Sequence, residues 1–105
     1  MEEANLNYIN ELSGDNPDFK AKIISIVKRE LPEEISTYEK DMKSLDFFQA
    51  AQAVHKLKHK ISILGLEKSY YIADEFESNL KNNTPELHVD FNIILKTMQE
   101  FVNRL

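Results

Sequence analysis

The chain of 105 residues has no cysteine, only two glycines and three prolines, and no run of more than two adjacent Lys or Arg residues. The missing cysteines exclude a disulfide framework, a zinc site built on thiolates and a cysteine nucleophile. Several short strands would need more turn-forming residues than these few glycines and prolines provide. They also leave no glycine-rich loop for the phosphates of a nucleotide. The composition therefore favours helices.

No apolar stretch approaches the roughly 18 residues of a membrane span, and the acidic N-terminus MEEAN does not resemble a signal peptide. Thirteen Lys and Arg against eighteen Asp and Glu give a net charge of −5. This negative charge disfavours nucleic acid and anionic membranes as partners. Hydrophobic residues make up 42% of the chain and charged residues 30%, which is typical of a folded soluble domain. We expect residues 1–105 to form a single cytoplasmic domain.

Apolar residues recur at helical spacing along almost the whole chain. A short helix over residues 6–12 is predicted to end near Gly14, and a second helix to begin at Pro17. Pro32 is expected to break or kink that second helix, because proline lacks a donor and crowds the preceding turn. The remaining helices, each with one apolar stripe, are predicted over residues 46–64, 66–80 and 91–105. Together these elements predict an all-α antiparallel four-helix bundle with a short extra N-terminal helix.

The helix over residues 46–64 has two different faces when its residues are placed at about 100° each. The face predicted to be buried carries Phe47, Ala50, Val54, Leu57, Ile61 and Leu64. The side chains within about 60° of His55 on the other face are Phe48, Ala51, Gln52, Lys58, His59 and Ser62. An exposed imidazole is partly unprotonated near neutral pH and can act as a nucleophile. Because Lys58 lies one turn along the same side, this face predicts chemistry on a phosphoryl group.

Residues 54–65, VHKLKHKISILG, resemble the signature of histidine-containing phosphotransfer (HPt) domains, the helical bundles that relay phosphoryl groups in two-component systems. That signature contains His, any residue, Leu, Lys and Gly, followed five or six positions later by another Gly. Here His55, Leu57, Lys58 and Gly65 match. Residues 12–19, LSGDNPDF, also resemble the family's opening turn into its first bundle helix.

The resemblance implies that the chain is a phosphorelay carrier and not an enzyme with its own turnover. His55 would accept a phosphoryl group from a receiver-domain aspartate of a hybrid sensor kinase and pass it to a response regulator. The residues expected to stabilise that group are Lys58, His59, Gln52 and Ser62. The residues expected to form an apolar docking patch are Phe48 and Ala51. The receiver would supply Mg²⁺, so no metal or cofactor is expected in this chain, and we expect a monomer.

One departure from the signature leaves two alternatives open. The family usually has Gly where this chain has His59, which either crowds an incoming partner or donates a hydrogen bond to the phosphoryl oxygens. The first alternative is therefore an HPt-like helical adaptor that binds a receiver domain without being phosphorylated. The second is a metal site, because His55 and His59 have the i, i+4 spacing that brings two imidazoles to one ion. Against that site, Lys56, Lys58 and Lys60 would repel a cation.

Overall fold

Five helices account for most of the chain in the computed structural model, which describes residues 2–105. They are α1 (Asn7–Ser13), α2 (Pro17–Lys43), α3 (Phe47–Ile63), α4 (Glu67–Lys81) and α5 (His88–Asn103). Helix α2 packs against α3 and α5, α4 packs against α3 and α5, and α1 lies against α2. Because the loops between the four long helices are short, neighbouring helices run antiparallel. The predicted four-helix bundle with a short N-terminal helix is confirmed.

Side-chain caps fix where the two helices α2 and α3 begin. The Asn16 side chain accepts a hydrogen bond from the Phe19 amide at 3.0 Å, and Pro17 occupies the first turn of α2. The Asp46 side chain accepts one from the Gln49 amide at 3.1 Å and so caps α3. Each cap satisfies an amide that the first turn of a helix leaves without a partner. The Asp46 cap fixes the start of α3, which carries the candidate site.

Of the break or kink predicted at Pro32, the break is wrong, because α2 continues through Pro32 as one helix of 27 residues. An interior proline costs a helix about 3 kcal/mol. Pro32 itself is exposed, while Val27 and Leu31 before it and Tyr38 after it are each at most 1% exposed. Each large side chain that is buried contributes about 1.5–3 kcal/mol. Burial of such side chains on both halves of α2 therefore outweighs the cost of the proline.

Across residues 2–105, no helix combines the length and the apolar character needed to cross a membrane.

Three aromatic rings tie α2, α4 and α5 together in the core. The Tyr38 ring meets Phe76 and Phe91 edge-on, with centroids 6.1 and 5.1 Å apart, and Phe76 lies 5.0 Å from Phe91. The Tyr38 hydroxyl donates a hydrogen bond to Oδ1 of Asn92 at 3.1 Å, so its polar end has a partner. This cluster holds α4 in place against the rest of the bundle.

Two partly buried ion pairs join α3 to α2. The Lys60 ammonium lies 3.0 Å from Oε1 of Glu30 and 3.0 Å from Oε2 of Glu34, and Lys60 is only 8% exposed. Burial lowers the pKa of Lys60, but the hydrogen bonds to the two carboxylates outweigh it and raise the pKa. Because these contacts lie on one side of α3, they fix its rotation and leave His55 on another side.

The turn between α3 and α4 requires glycine at position 65. Gly65 has φ +75°, in the left-handed region, and a Cβ there would lie 2.5 Å from Oδ1 of Asn5. The N-terminal segment crosses this turn, where the Asn5 amide donates to the Leu64 carbonyl at 2.9 Å. The predicted helix end at Gly65 is thus explained by both its dihedral angle and the close approach of Asn5.

Candidate functional site

His55 lies near the middle of α3, on the side away from the core. Its side chain is 58% exposed, while the neighbouring Val54 and Leu57 are completely buried. The predicted surface position of His55 is therefore confirmed. Its Nδ1 atom lies 3.3 Å from each carboxylate oxygen of Glu77 on α4. Across residues 2–105, Nε2 of the same ring has no hydrogen-bond partner.

The contact with Glu77 determines which nitrogen of the ring carries the proton. A carboxylate only accepts hydrogen bonds, so Nδ1 must be the protonated nitrogen that donates to Glu77. In the neutral ring the lone pair is then on Nε2. This assignment of the tautomer follows from the hydrogen-bond network. The arrangement holds the ring in one orientation and leaves Nε2 as the nucleophilic atom.

Glu77 is the centre of a charge network that the sequence analysis missed. Its side chain is 7% exposed and accepts from three donors, with Nζ of Lys58 at 2.9 Å and Nζ of Lys81 at 3.0 Å besides His55. Burial would raise the pKa of Glu77, but the hydrogen bonds from Lys58, Lys81 and His55 outweigh it and lower the pKa from 4.5 to about 2. Glu77 is therefore a carboxylate at neutral pH and keeps the proton on Nδ1.

Lys58 was expected to be partly exposed beside His55, and that expectation is wrong. Its side chain is 8% exposed, and its ammonium lies 2.8 Å from Oδ1 of Asp74 and 2.9 Å from Oε1 of Glu77. The same ammonium lies 5.4 Å from the centroid of the Tyr70 ring. Burial lowers the pKa of Lys58, but the hydrogen bonds to Asp74 and Glu77 outweigh it and raise the pKa. The charge of Lys58 is thus already neutralised by two carboxylates of α4.

An open depression of about 480 Å³ adjoins His55 and Glu77. The side chains of Phe48, Gln52, Lys56 and Lys81 line it. Phe48 is 66% exposed, so its ring offers an apolar surface beside the imidazole, as predicted. Ala51 also borders the depression but is only 1% exposed, so its expected place in an exposed docking patch is wrong. The Ala51 side chain is a single methyl group, and the longer side chains around it cover it.

The other two predicted phosphoryl ligands, His59 and Ser62, border a different depression. This second depression has a volume of about 720 Å³ and is also lined by Tyr8, Tyr70 and Tyr71. The His59 ring centroid lies 5.6 Å from that of His55, with the ring planes at 72°. His59 therefore meets His55 edge-to-face, without a hydrogen bond between them. The residues predicted to stabilise the phosphoryl group therefore do not share one surface. Gln52 lines the same depression as His55, whereas His59 and Ser62 line the other one.

His55 and His59, at i and i+4 on α3, are the two ligands of the alternative metal site. Among residues 2–105, no group of three or more His, Asp or Glu side chains is placed to hold a metal ion. Glu77, the carboxylate that contacts His55, already accepts from two lysine ammonium groups, which would repel a cation. The charge distribution around the two imidazoles suits an anion better than a metal.

A signal for the missed carboxylate is present in the sequence of α4. Tyr70, Ala73, Glu77 and Leu80 recur at intervals of three and four residues, which places Glu77 on the inward side of the helix. A charged residue on such a stripe requires a partner from another helix. Lys81 follows Glu77 by four residues, a spacing that favours an ion pair along one helix. The partner across the interface, Lys58, is visible only in three dimensions.

Comparison of the chain with protein-family models, with curated proteins and with solved structures finds no match. The likeness to HPt domains therefore remains a prediction that depends on the motif residues around His55.

Proposed function

We propose that this chain is a phosphohistidine carrier of the HPt kind, in which His55 accepts a phosphoryl group from a receiver-domain aspartate and passes it to another receiver. The observation that carries the proposal is the exposed imidazole whose Nδ1 faces the buried carboxylate of Glu77. That contact makes Nε2 the nucleophilic nitrogen. On this proposal the chain works as a monomer in the cytoplasm and is a carrier without independent turnover.

The transfer step needs no proton to leave His55. The Nε2 lone pair attacks phosphorus, the bond from phosphorus to the aspartate oxygen breaks, and its electron pair stays on the aspartate carboxylate. Nδ1 keeps its proton, so the phosphorylated ring becomes positively charged. Glu77, 3.3 Å from Nδ1, stabilises that charge electrostatically. The same step in reverse delivers the group to the next receiver, and Mg²⁺ is expected from the receiver partner.

The surroundings of His55 support a transient contact with a protein partner. Phe48 presents an exposed aromatic ring beside the imidazole, and Gln52 adds an amide within the same depression. An interface of this kind has to be small, because a carrier must release each receiver after transfer. We expect docking around Phe48 to place the donor aspartate next to Nε2.

The test is transfer of labelled phosphate from a pool of phosphorylated receiver domains to the purified chain. We expect an acid-labile, alkali-stable label that His55→Ala abolishes while the variant keeps its helical content and still unfolds cooperatively. His88→Ala is the matched control, because His88 is an exposed histidine on α5, and this variant should keep the label. A labelled His55→Ala variant would contradict the assignment of the site, and an unlabelled wild-type chain would contradict the carrier function.

One observation favours the adaptor alternative, namely the His59 ring packed 5.6 Å from His55 where the family has Gly. A domain blocked in this way would bind a receiver but take up no label, and His59→Gly would restore labelling by opening space beside the imidazole. On the carrier proposal the wild-type chain is labelled already. The same assay therefore separates the two functions.

A further inference from the structure

The phosphoryl group in the proposed function would bring close to two negative charges to Nε2, and a nearby cation has to balance them. The lysine of the HPt-like motif, Lys58, is poorly placed to do so. It is 8% exposed and its ammonium is shared between Asp74 and Glu77. Moving it would leave a buried carboxylate with fewer donors, which is costly. The cation has to come from elsewhere on the surface.

Two lysines border the depression next to His55, Lys56 on α3 and Lys81 on α4. Lys81 is 62% exposed, and its only ion pair within residues 2–105 is the one with Glu77. Nζ of Lys81 and Nδ1 of His55 contact the same oxygen, Oε2 of Glu77, at 3.0 and 3.3 Å. The ammonium therefore lies within about 6 Å of the ring nitrogen, and the flexible lysine stem allows it to move further.

We propose that Lys81 is the phosphoryl-binding cation of this site and that it moves from Glu77 to the phosphoryl oxygens when His55 is phosphorylated. This inference rests on the proposed carrier function. Its physical basis is a balance of charge at Glu77. In the unphosphorylated chain, with the ring in the form whose Nε2 lone pair can attack phosphorus, the carboxylate faces the ammonium groups of Lys58 and Lys81 and the Nδ1–H of His55.

Phosphorylation changes that balance in a way that releases Lys81. The ring acquires a positive charge and keeps its Nδ1 proton directed at Glu77, so it takes over the role of the Lys81 ammonium. Lys58 stays in its buried position with Asp74 and Glu77. Lys81 is then free to form charge-assisted hydrogen bonds with the dianion. The buried carboxylate faces two positive charges both before and after the transfer.

The test uses a small phosphoryl donor, so that no partner protein is needed. Phosphoramidate transfers its phosphoryl group to Nε2 as the P–N bond breaks and ammonia leaves with the bonding electron pair. The ³¹P signal of the phosphorylated chain is then followed as the pH is lowered from alkaline values. A neighbouring ammonium favours the dianion, so it lowers the pKa at which the phosphoryl group takes up a proton. We expect that pKa to rise by about half a unit in Lys81→Gln and to be restored in Lys81→Arg.

Lys96→Gln on α5 is the matched control, because Lys96 is exposed and borders a depression on another part of the bundle. A Lys81→Gln variant with the same phosphoryl pKa as Lys96→Gln would overturn the inference. A larger effect of Lys56→Gln than of Lys81→Gln would also overturn it, because the cation would then be Lys56. In both cases His55 is phosphorylated and only the role of Lys81 fails. Failure of the carrier function is a different result, namely a wild-type chain that takes up no label from phosphorylated receivers.

Discussion

Replacing Glu77 by glutamine removes one buried negative charge and keeps an oxygen that can accept from Nδ1 of His55. The pKa of Glu77 is lowered from 4.5 to about 2 by its three donors, against the opposing effect of burial. One pKa unit corresponds to about 1.4 kcal/mol, so ionised Glu77 contributes about 3 kcal/mol to the free energy of unfolding. We expect Glu77→Gln to lose about this amount at neutral pH.

The pH dependence of this loss follows from the direction of the pKa shift. Because the folded state holds the proton of Glu77 less tightly than the unfolded state, the contribution is complete above about pH 4.5 and disappears as the pH falls to about 2. Urea denaturation of the wild type and Glu77→Gln should therefore give a difference of about 3 kcal/mol at pH 7 and about 1 kcal/mol at pH 3.

Glu75→Gln is the control for that series, because Glu75 is exposed on the same helix and its replacement should change stability by less than about 0.5 kcal/mol. A difference between wild type and Glu77→Gln that stays constant between pH 7 and pH 3 would refute the reasoning. So would a loss at neutral pH no larger than that of Glu75→Gln. Either result would mean that the ionised carboxylate does not stabilise the interface of α3 and α4.

Two further substitutions test the packing around the site. Lys58→Met should lower the free energy of unfolding by about 2 kcal/mol, because Glu77 and Asp74 lose a shared cation, while Lys56→Met at an exposed position changes it little. Equal urea midpoints for these two variants would show that Lys58 does not stabilise the fold. Gly65→Ala should cost about 1–2 kcal/mol through its positive φ and the approach of Asn5. The cost should be smaller when Asn5 is replaced by alanine, and an equal cost in both backgrounds would exclude the clash.

The fold could be predicted from the sequence because it depends on local patterns. The caps at Asn16 and Asp46, the glycine at position 65 and the regular apolar stripes each act within a few residues. The effect of Pro32 could not be judged locally, because burial on both halves of α2 decides whether the helix continues. The helix-breaking tendency of proline is a local property, and at Pro32 tertiary packing outweighs it.

The site was only partly predictable for the same reason. The exposure of His55 follows from the stripe of α3, which one helix displays by itself. The burial of Lys58 depends on Asp74 and Glu77 approaching from α4, and spacing within α3 carries no information about them. Residues that stabilise charge between two helices are thus the part of a site that a single sequence reveals least.

On the proposed function, Nε2 of His55 carries the phosphoryl group while Nδ1 stays protonated and faces Glu77. A long-range ¹H–¹⁵N spectrum of the histidine rings, recorded before and after phosphorylation, tests it directly. We expect the phosphorylated chain to show coupling of ³¹P to Nε2 of His55 alone, with Nδ1 still carrying its proton. Phosphorus on Nδ1 of His55, or on a ring nitrogen of His59 or His88, would contradict the account.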